Sequence, residues 1–193
     1  MYKKQMTLQR ITSYLLLVAA ALVFVYSLGI MTDLYDSLYY ISSIKETSKN
    51  YVEGSMIYHE MQPFNRQLTA AGIVLILSAL SLFVFKTHDR RKYYIANYIT
   101  IGINALLNIA VSVWALINVF AYKAQFLTID FELLFKVAKI YKRNATDSTF
   151  WFDISTVVFG ILLFVTLLSL GNLVFKIIVM RAERKLIEEG KEA

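Results

Sequence analysis

The chain has 193 residues, 58% of them hydrophobic, with 20 Lys and Arg against 14 Asp and Glu, one proline and no cysteine; its mean hydropathy is +0.54. A soluble domain of this length is only about 45–50% apolar, so the composition excludes an ordinary water-soluble globule. The missing cysteines exclude thiol chemistry and a disulfide-stapled pair of extracellular loops.

Lys3, Lys4 and Arg10 precede an uncharged run near residues 11–31, and a hydrocarbon core takes about 20 apolar residues to cross. The run exceeds the roughly 7–15 residues of a cleaved signal's apolar core, and no small-x-small site follows, so a retained anchor is expected. In the stretch DLYDSLYYISSIKETSKNY that follows, Leu34, Leu38, Ile41 and Ile44 keep helical spacing and extend the first helix. Asn50 and Gly54 then act as breakers. Met56–Met61 is a second short apolar piece, and Gln62-Pro63-Phe64-Asn65 opens the second span near residues 68–86, its proline placed where a helix start tolerates it.

After the short basic connection KTHDRRKY comes a third span near residues 94–122, which carries Asn97, Thr100, Asn104, Asn108 and Asn118. At about 100° per residue these five polar residues fall within an arc of about 80°, a stripe along an otherwise oily helix. A carboxamide without a partner is costly in lipid, so the stripe must face protein or water. Two uses fit. It can meet Ser13, Tyr26 and Ser27 of the first span or Thr166, Ser169 and Asn172 of the fourth, or it can meet another membrane protein. Internal packing is the favoured expectation. Small residues of the second span (Ala70, Ala71, Gly72, Ser78, Ala79, Ser81) allow the close helix approach that such packing needs.

The second long connection contains an amphipathic helix. Asp130 can cap it, and Phe131, Leu134, Phe135, Ala138 and Tyr141 share one face, while Glu132, Lys136, Lys139, Lys142 and Arg143 are mostly displaced from that face. Such a helix can lie on a membrane or pack on the first connection as a small cap; the cap is expected. Phe150, Trp151 and Phe152 precede the fourth span, near residues 154–176, where an interfacial aromatic belt belongs. An aromatic platform for a sugar ring is the lesser alternative.

Basic residues set the orientation. The N-terminus, the 86–92 connection and the tail (Lys176, Arg181, Arg184, Lys185) are rich in Lys and Arg, whereas the first long loop offsets Lys45, Lys49 and Arg66 with five acids. Both termini are therefore expected in the cytoplasm and loops 32–67 and 123–153 outside. The +6 charge is topological, facing an anionic inner leaflet, and implies no nucleic acid. The expected fold is an all-α integral membrane protein: one domain of four transmembrane helices in the plasma membrane, with two long extracellular loops that form an outer cap.

Catalysis is not expected, and no cofactor or metal is implied. His59 and His88 fall on opposite sides of the membrane, and neither has neighbours at ligand spacing. Glycine-rich phosphate loops and nucleophile elbows are absent. The spans, taken to end at Lys176, hold no ionisable residue near midplane, which disfavours a proton-coupled carrier.

Three stretches, YVEGSMIYHEMQPFNRQ, THDRRKYYIANY and TDSTFWFD, resemble uncharacterised four-span membrane proteins of Gram-positive bacteria encoded beside carbohydrate ABC importers. The resemblance runs along most of the chain but carries no catalytic or binding motif. It implies association with the permease of a sugar importer as an accessory subunit. A non-enzymatic membrane subunit or scaffold is thus the expected function, with a small oligomeric channel or transporter as the alternative and a membrane enzyme behind both. Tetraspanins and claudins share the topology but need loop cysteines that this chain lacks.

Overall fold

A computed structural model describes residues 2–85, 94–188 and 190. It consists of helices α1 (Tyr2–Ile41), α2 (Ile57–Val84), α3 (Tyr94–Phe126), α4 (Phe131–Ile140) and α5 (Phe150–Glu188), with no strand among the described residues. All but α4 are long and apolar enough to cross a membrane. Four such helices are the mark of a multi-pass membrane protein. The basic connection, including His88 and Asp89, lies outside the described residues.

The helices outrun the apolar runs that announce them. α1 has 40 residues and α5 has 39, about twice what a bilayer requires. α1 continues to Ile41, as its Leu and Ile spacing predicts. Beyond Lys176, α5 runs on through Met180-Arg-Ala-Glu-Arg-Lys-Leu186, a succession of strong helix formers. The start of α2 differs from the expectation. The helix begins at Ile57, so Pro63 sits inside it and not at its first turn. Pro63 offers no N–H to the carbonyl of His59, four residues earlier, and a helix takes a proline there only at some cost. The Met56–Met61 piece, read from sequence as separate, is the opening of this same helix.

Packing divides the chain into two compact units. One comprises Met1–Ala21, Val74–Ala110 and Ile161–Ala193, the other Leu22–Ile73 and Val111–Gly160. In the first, Leu16, Ala79, Leu82, Ile101 and Val165 form an apolar cluster, flanked by Leu17 and Leu173. Around it the usual globular pattern is inverted. Ile95 and Leu106 are 72% and 70% exposed while Asn97, Asn104 and Asn108 are buried, the arrangement expected when the surrounding solvent is hydrocarbon.

In the second unit glycines permit close approach. A Cβ on Gly72 would lie 3.0 Å from Phe24 Cα, and one on Gly29 would overlap ring atoms Cζ3 and Cη2 of Trp151. Phe64 packs on Trp114 and Tyr122, with ring centroids 5.2 and 5.5 Å away. The two long connections meet as a cap. Tyr40 stacks on Tyr141 at 5.0 Å, Asn50 donates to the Tyr141 hydroxyl at 3.3 Å, and Gly54 lies against Ile129. Gly54 has φ +80°, a conformation that glycine adopts without penalty. Val52, Ile57, Tyr58, Met61, Phe126 and Ile129 are buried there.

Candidate functional site: a buried polar seam

The first unit conceals an unusual density of polar side chains. α1 contributes Gln5, Gln9, Thr12 and Ser13, α3 contributes Asn97, Asn104 and Asn108, and α5 contributes Thr166, Ser169, Asn172 and Lys176, all buried. Each set recurs at steps of three, four or seven residues, or their sums, so each helix turns one polar edge inward.

The asparagines are engaged across helices. Asn104 Nδ2 donates to Ser78 Oγ of α2 at 3.0 Å. Asn108 Nδ2 donates to Asn104 Oδ1 at 3.1 Å and to Thr166 Oγ1 of α5 at 2.9 Å. Asn97 Nδ2 donates to the carbonyl of Phe85 at 2.8 Å, while its Oδ1 accepts from Lys176 Nζ. Gln5 Nε2 reaches both Gln9 Oε1 and Asn172 Oδ1 at 3.3 Å; Gln5 Oε1 and Gln9 Nε2 make no hydrogen bond among the described residues.

The five stripe residues therefore divide. Asn97, Asn104 and Asn108 enter the seam. Thr100 is half-buried and donates to its own helix at the Ala96 carbonyl, 2.7 Å away. Asn118 belongs to the other unit and likewise donates back to the Trp114 carbonyl at 2.8 Å. Of the partners expected on the first span, Ser13 bonds the Gln9 carbonyl at 2.8 Å and Ser27 the Phe24 carbonyl at 2.7 Å, both within α1.

Lys176, counted from sequence at the end of the fourth span among the basic residues of the tail, lies inside the seam. It is 1% exposed, and its Nζ also lies 5.2 Å from the ring centroid of Tyr98, a cation–π distance. A hydropathy window ends at such a charge, but Lys176 is one turn beyond Asn172 and shares its buried side. That helical spacing is the signal that would have found it.

In the cap, Asp130 accepts from Leu133 N at 3.0 Å and so closes the N-terminus of α4. Its buried residues are Leu134, Val137 and Ala138. Phe131 packs on Phe126 at 5.2 Å, and Tyr141 caps the C-terminus of the helix and meets Tyr40. Phe135 is 42% exposed, because it lies about 100° round the helix from Leu134 whereas Val137 lies about 60° away. Val137 thus takes the inner position assigned to Phe135 from sequence.

The expected aromatic belt also separates. Phe152 is buried on Phe126 with centroids 5.3 Å apart, Trp151 lies against Gly29, and Phe150 alone is mainly exposed. Beside them Lys123 and Asp153 form an ion pair at 2.5 Å, to which Thr149 Oγ1 adds a 2.6 Å hydrogen bond. The pair joins the end of α3 to the start of α5 across 30 residues of sequence, a separation that no local pattern reveals.

His59 sits beside the rings of Tyr39 and Tyr58 at 6.3 and 5.5 Å. Among the described residues no three His, Cys, Asp or Glu side chains gather as a metal site would require. Comparison of the chain with known protein families, curated proteins and solved structures finds no match.

Proposed function

We propose that this chain is a non-enzymatic integral membrane subunit or scaffold of the plasma membrane, with both termini in the cytoplasm and the cap outside. The observation that supports it is how the polar side chains of the helices are used. Asn97, Asn104 and Asn108 are spent on Phe85, Ser78, Thr166 and Lys176, which ties α3 to α2 and α5, while Gln5 joins α1 to Asn172 of α5. Interhelical bonds of this kind average about 0.6 kcal/mol each, a sum suited to fixing geometry. What remains outward is a set of apolar helix faces, and these serve lipid and membrane-protein neighbours.

The neighbour we propose is the permease of a carbohydrate ABC importer, on the strength of the resemblance in YVEGSMIYHEMQPFNRQ, THDRRKYYIANY and TDSTFWFD. A tagged chain purified from native membranes in mild detergent should bring down permease subunits identifiable by mass spectrometry. Recovery of the chain alone would overturn the subunit reading. The second reading, a small oligomeric channel or transporter, draws on the seam itself and the lysine buried in it. Solute flux through liposomes holding only this chain would establish it in place of the first.

A further inference from the structure

The seam is satisfied unevenly. Among the described residues, the α3 carboxamides of Asn97, Asn104 and Asn108 have no buried nitrogen or oxygen without a partner, whereas on α1 Gln5 Oε1 and Gln9 Nε2 are buried and make no hydrogen bond. Both side chains are almost wholly enclosed, Gln5 being 0% exposed and Gln9 3%. A buried polar atom in that state is costly and calls for a partner.

Two features define that partner. One remaining atom accepts and the other donates, so the partner must do both, as a hydroxylic group does. A phosphate or carboxylate only accepts, and an ammonium only donates. Turning the carboxamides of Gln5, Gln9 and Asn172 end for end preserves their mutual bonds and leaves the same remainder, one donor and one acceptor. The two atoms are also close. Gln5 Nε2 lies 3.3 Å from Gln9 Oε1, so amide bond lengths keep Gln5 Oε1 and Gln9 Nε2 within about 8 Å of each other. One or two water molecules span that distance at about 2.8 Å per hydrogen bond. Thr12 Oγ1 and Ser13 Oγ, one turn further along α1, donate to the Gln9 carbonyl at 3.1 and 2.8 Å. Both hydroxyls keep lone pairs, which offers the third contact that a buried water ordinarily makes.

We propose that water enters from the membrane surface at which α1 begins and bridges Gln5 Oε1 to Gln9 Nε2, so that the α1–α5 joint of the seam is wet while the Asn104–Asn108 joint is dry. The route is short. The membrane-competent stretch of α1 starts at Lys3, and Lys3 and Lys4 are exposed. Gln5 is the next residue, and Gln9 stands one turn deeper. Asn104 and Asn108 lie about 15 and 21 Å along α3 from its start, and their hydrogen bonds are made to Ser78, Thr166 and each other.

Nuclear magnetic resonance of the full chain in phosphatidylcholine nanodiscs, with the side-chain amides of glutamine and asparagine labelled with nitrogen-15, tests this directly. A cross-peak should join water to the Gln9 Nε2 protons. In heavy water the side-chain amides of Gln5 and Gln9 should exchange at least about tenfold faster than those of Asn104 and Asn108. The backbone amide of Gln9, inside α1, should stay protected. Gln5→Met removes the acceptor from the bridge, and the water cross-peak at Gln9 should weaken. No cross-peak at Gln9, side-chain protection equal to that of Asn104 and Asn108, or a cross-peak unchanged in Gln5→Met would overturn the proposal. So would a Gln9 backbone amide that exchanges as fast as its side chain, because the end of the helix would then be opening as a whole.

Discussion

Lys176 of α5 donates to Asn97 of α3, and the same Asn97 donates to the Phe85 carbonyl at 2.8 Å. One carboxamide thus serves a buried ammonium and a helix-end carbonyl together. Its two sides are not equivalent in energy. Asn97→Leu removes the acceptor from a buried charge and the donor from a backbone carbonyl, which should cost about 1–3 kcal/mol or more. Lys176→Met keeps the volume, removes the charge and leaves Asn97 Oδ1 short of a bond. Unfolding curves in detergent should rank Asn97→Leu well below Lys176→Met. The opposite ranking would mean that the ammonium itself, and not its carboxamide, organises this end of the bundle.

Much of the fold is legible because lipid imposes a length. The four apolar runs announce α1, α2, α3 and α5, since any shorter run leaves backbone polar groups in hydrocarbon. The ends of these helices are less legible. Lipid stops constraining the chain at its boundary while helix propensity does not, so α5 continues to Glu188. Lys176 was hidden for the same reason, because a charge after an apolar run is ordinarily a boundary marker. Val137 was passed over for Phe135 because side-chain size drew the helical face toward the larger residue. Lys123 and Asp153 meet only through the path of the chain between α3 and α5, which no window of sequence contains.

Gly29 and Trp151 form a steric pair. A Cβ at position 29 would overlap the six-membered ring of the indole, and overpacking of this kind costs about 1–3 kcal/mol. Gly29→Ala should therefore lower the melting temperature in detergent. Adding Trp151→Leu, which removes the ring, should recover part of the loss. Two independent, additive losses would show that the indole moves aside at no cost.

The cap makes Leu134 a sensitive position, because the residue is fully buried within it. Leu134→Asp places a carboxylate among Val137, Ala138 and their neighbours without a partner, which should destabilise the isolated protein severely. The melting temperature should fall even with no lipid or partner protein present. An unchanged melting temperature would place Leu134 on a docking surface and not in a core.

Orientation can be read with the same cysteine-free background. Cysteines introduced singly at Ser48 and Thr146, in the two long connections, should react with a membrane-impermeant maleimide in intact cells. A cysteine at Thr87, in the basic connection outside the described residues, should react only after lysis. Labelling at Thr87 together with protection at the other two would reverse the topology.

Asn104 and Asn108 decide what the seam is for. Asn108 bridges to Asn104 and to Thr166, and Asn104 reaches Ser78, so the pair connects α3 to α2 and to α5. Both carboxamides are buried. In Asn104→Leu/Asn108→Leu the two hydroxyls of Ser78 and Thr166 lose these donors, though each also donates or can donate along its own helix, as Thr166 does to the Leu162 carbonyl at 2.7 Å. That fallback limits the loss to about 1–3 kcal/mol. The unfolding curve of the double variant in detergent should shift accordingly, while its recovery in a native pull-down should persist. If the isolated variant were as stable as the parent and only assembly failed, the carboxamides would belong to a partner interface. If neither measurement moved, the seam would contribute nothing to either, and the polar edge of α3 would need another explanation.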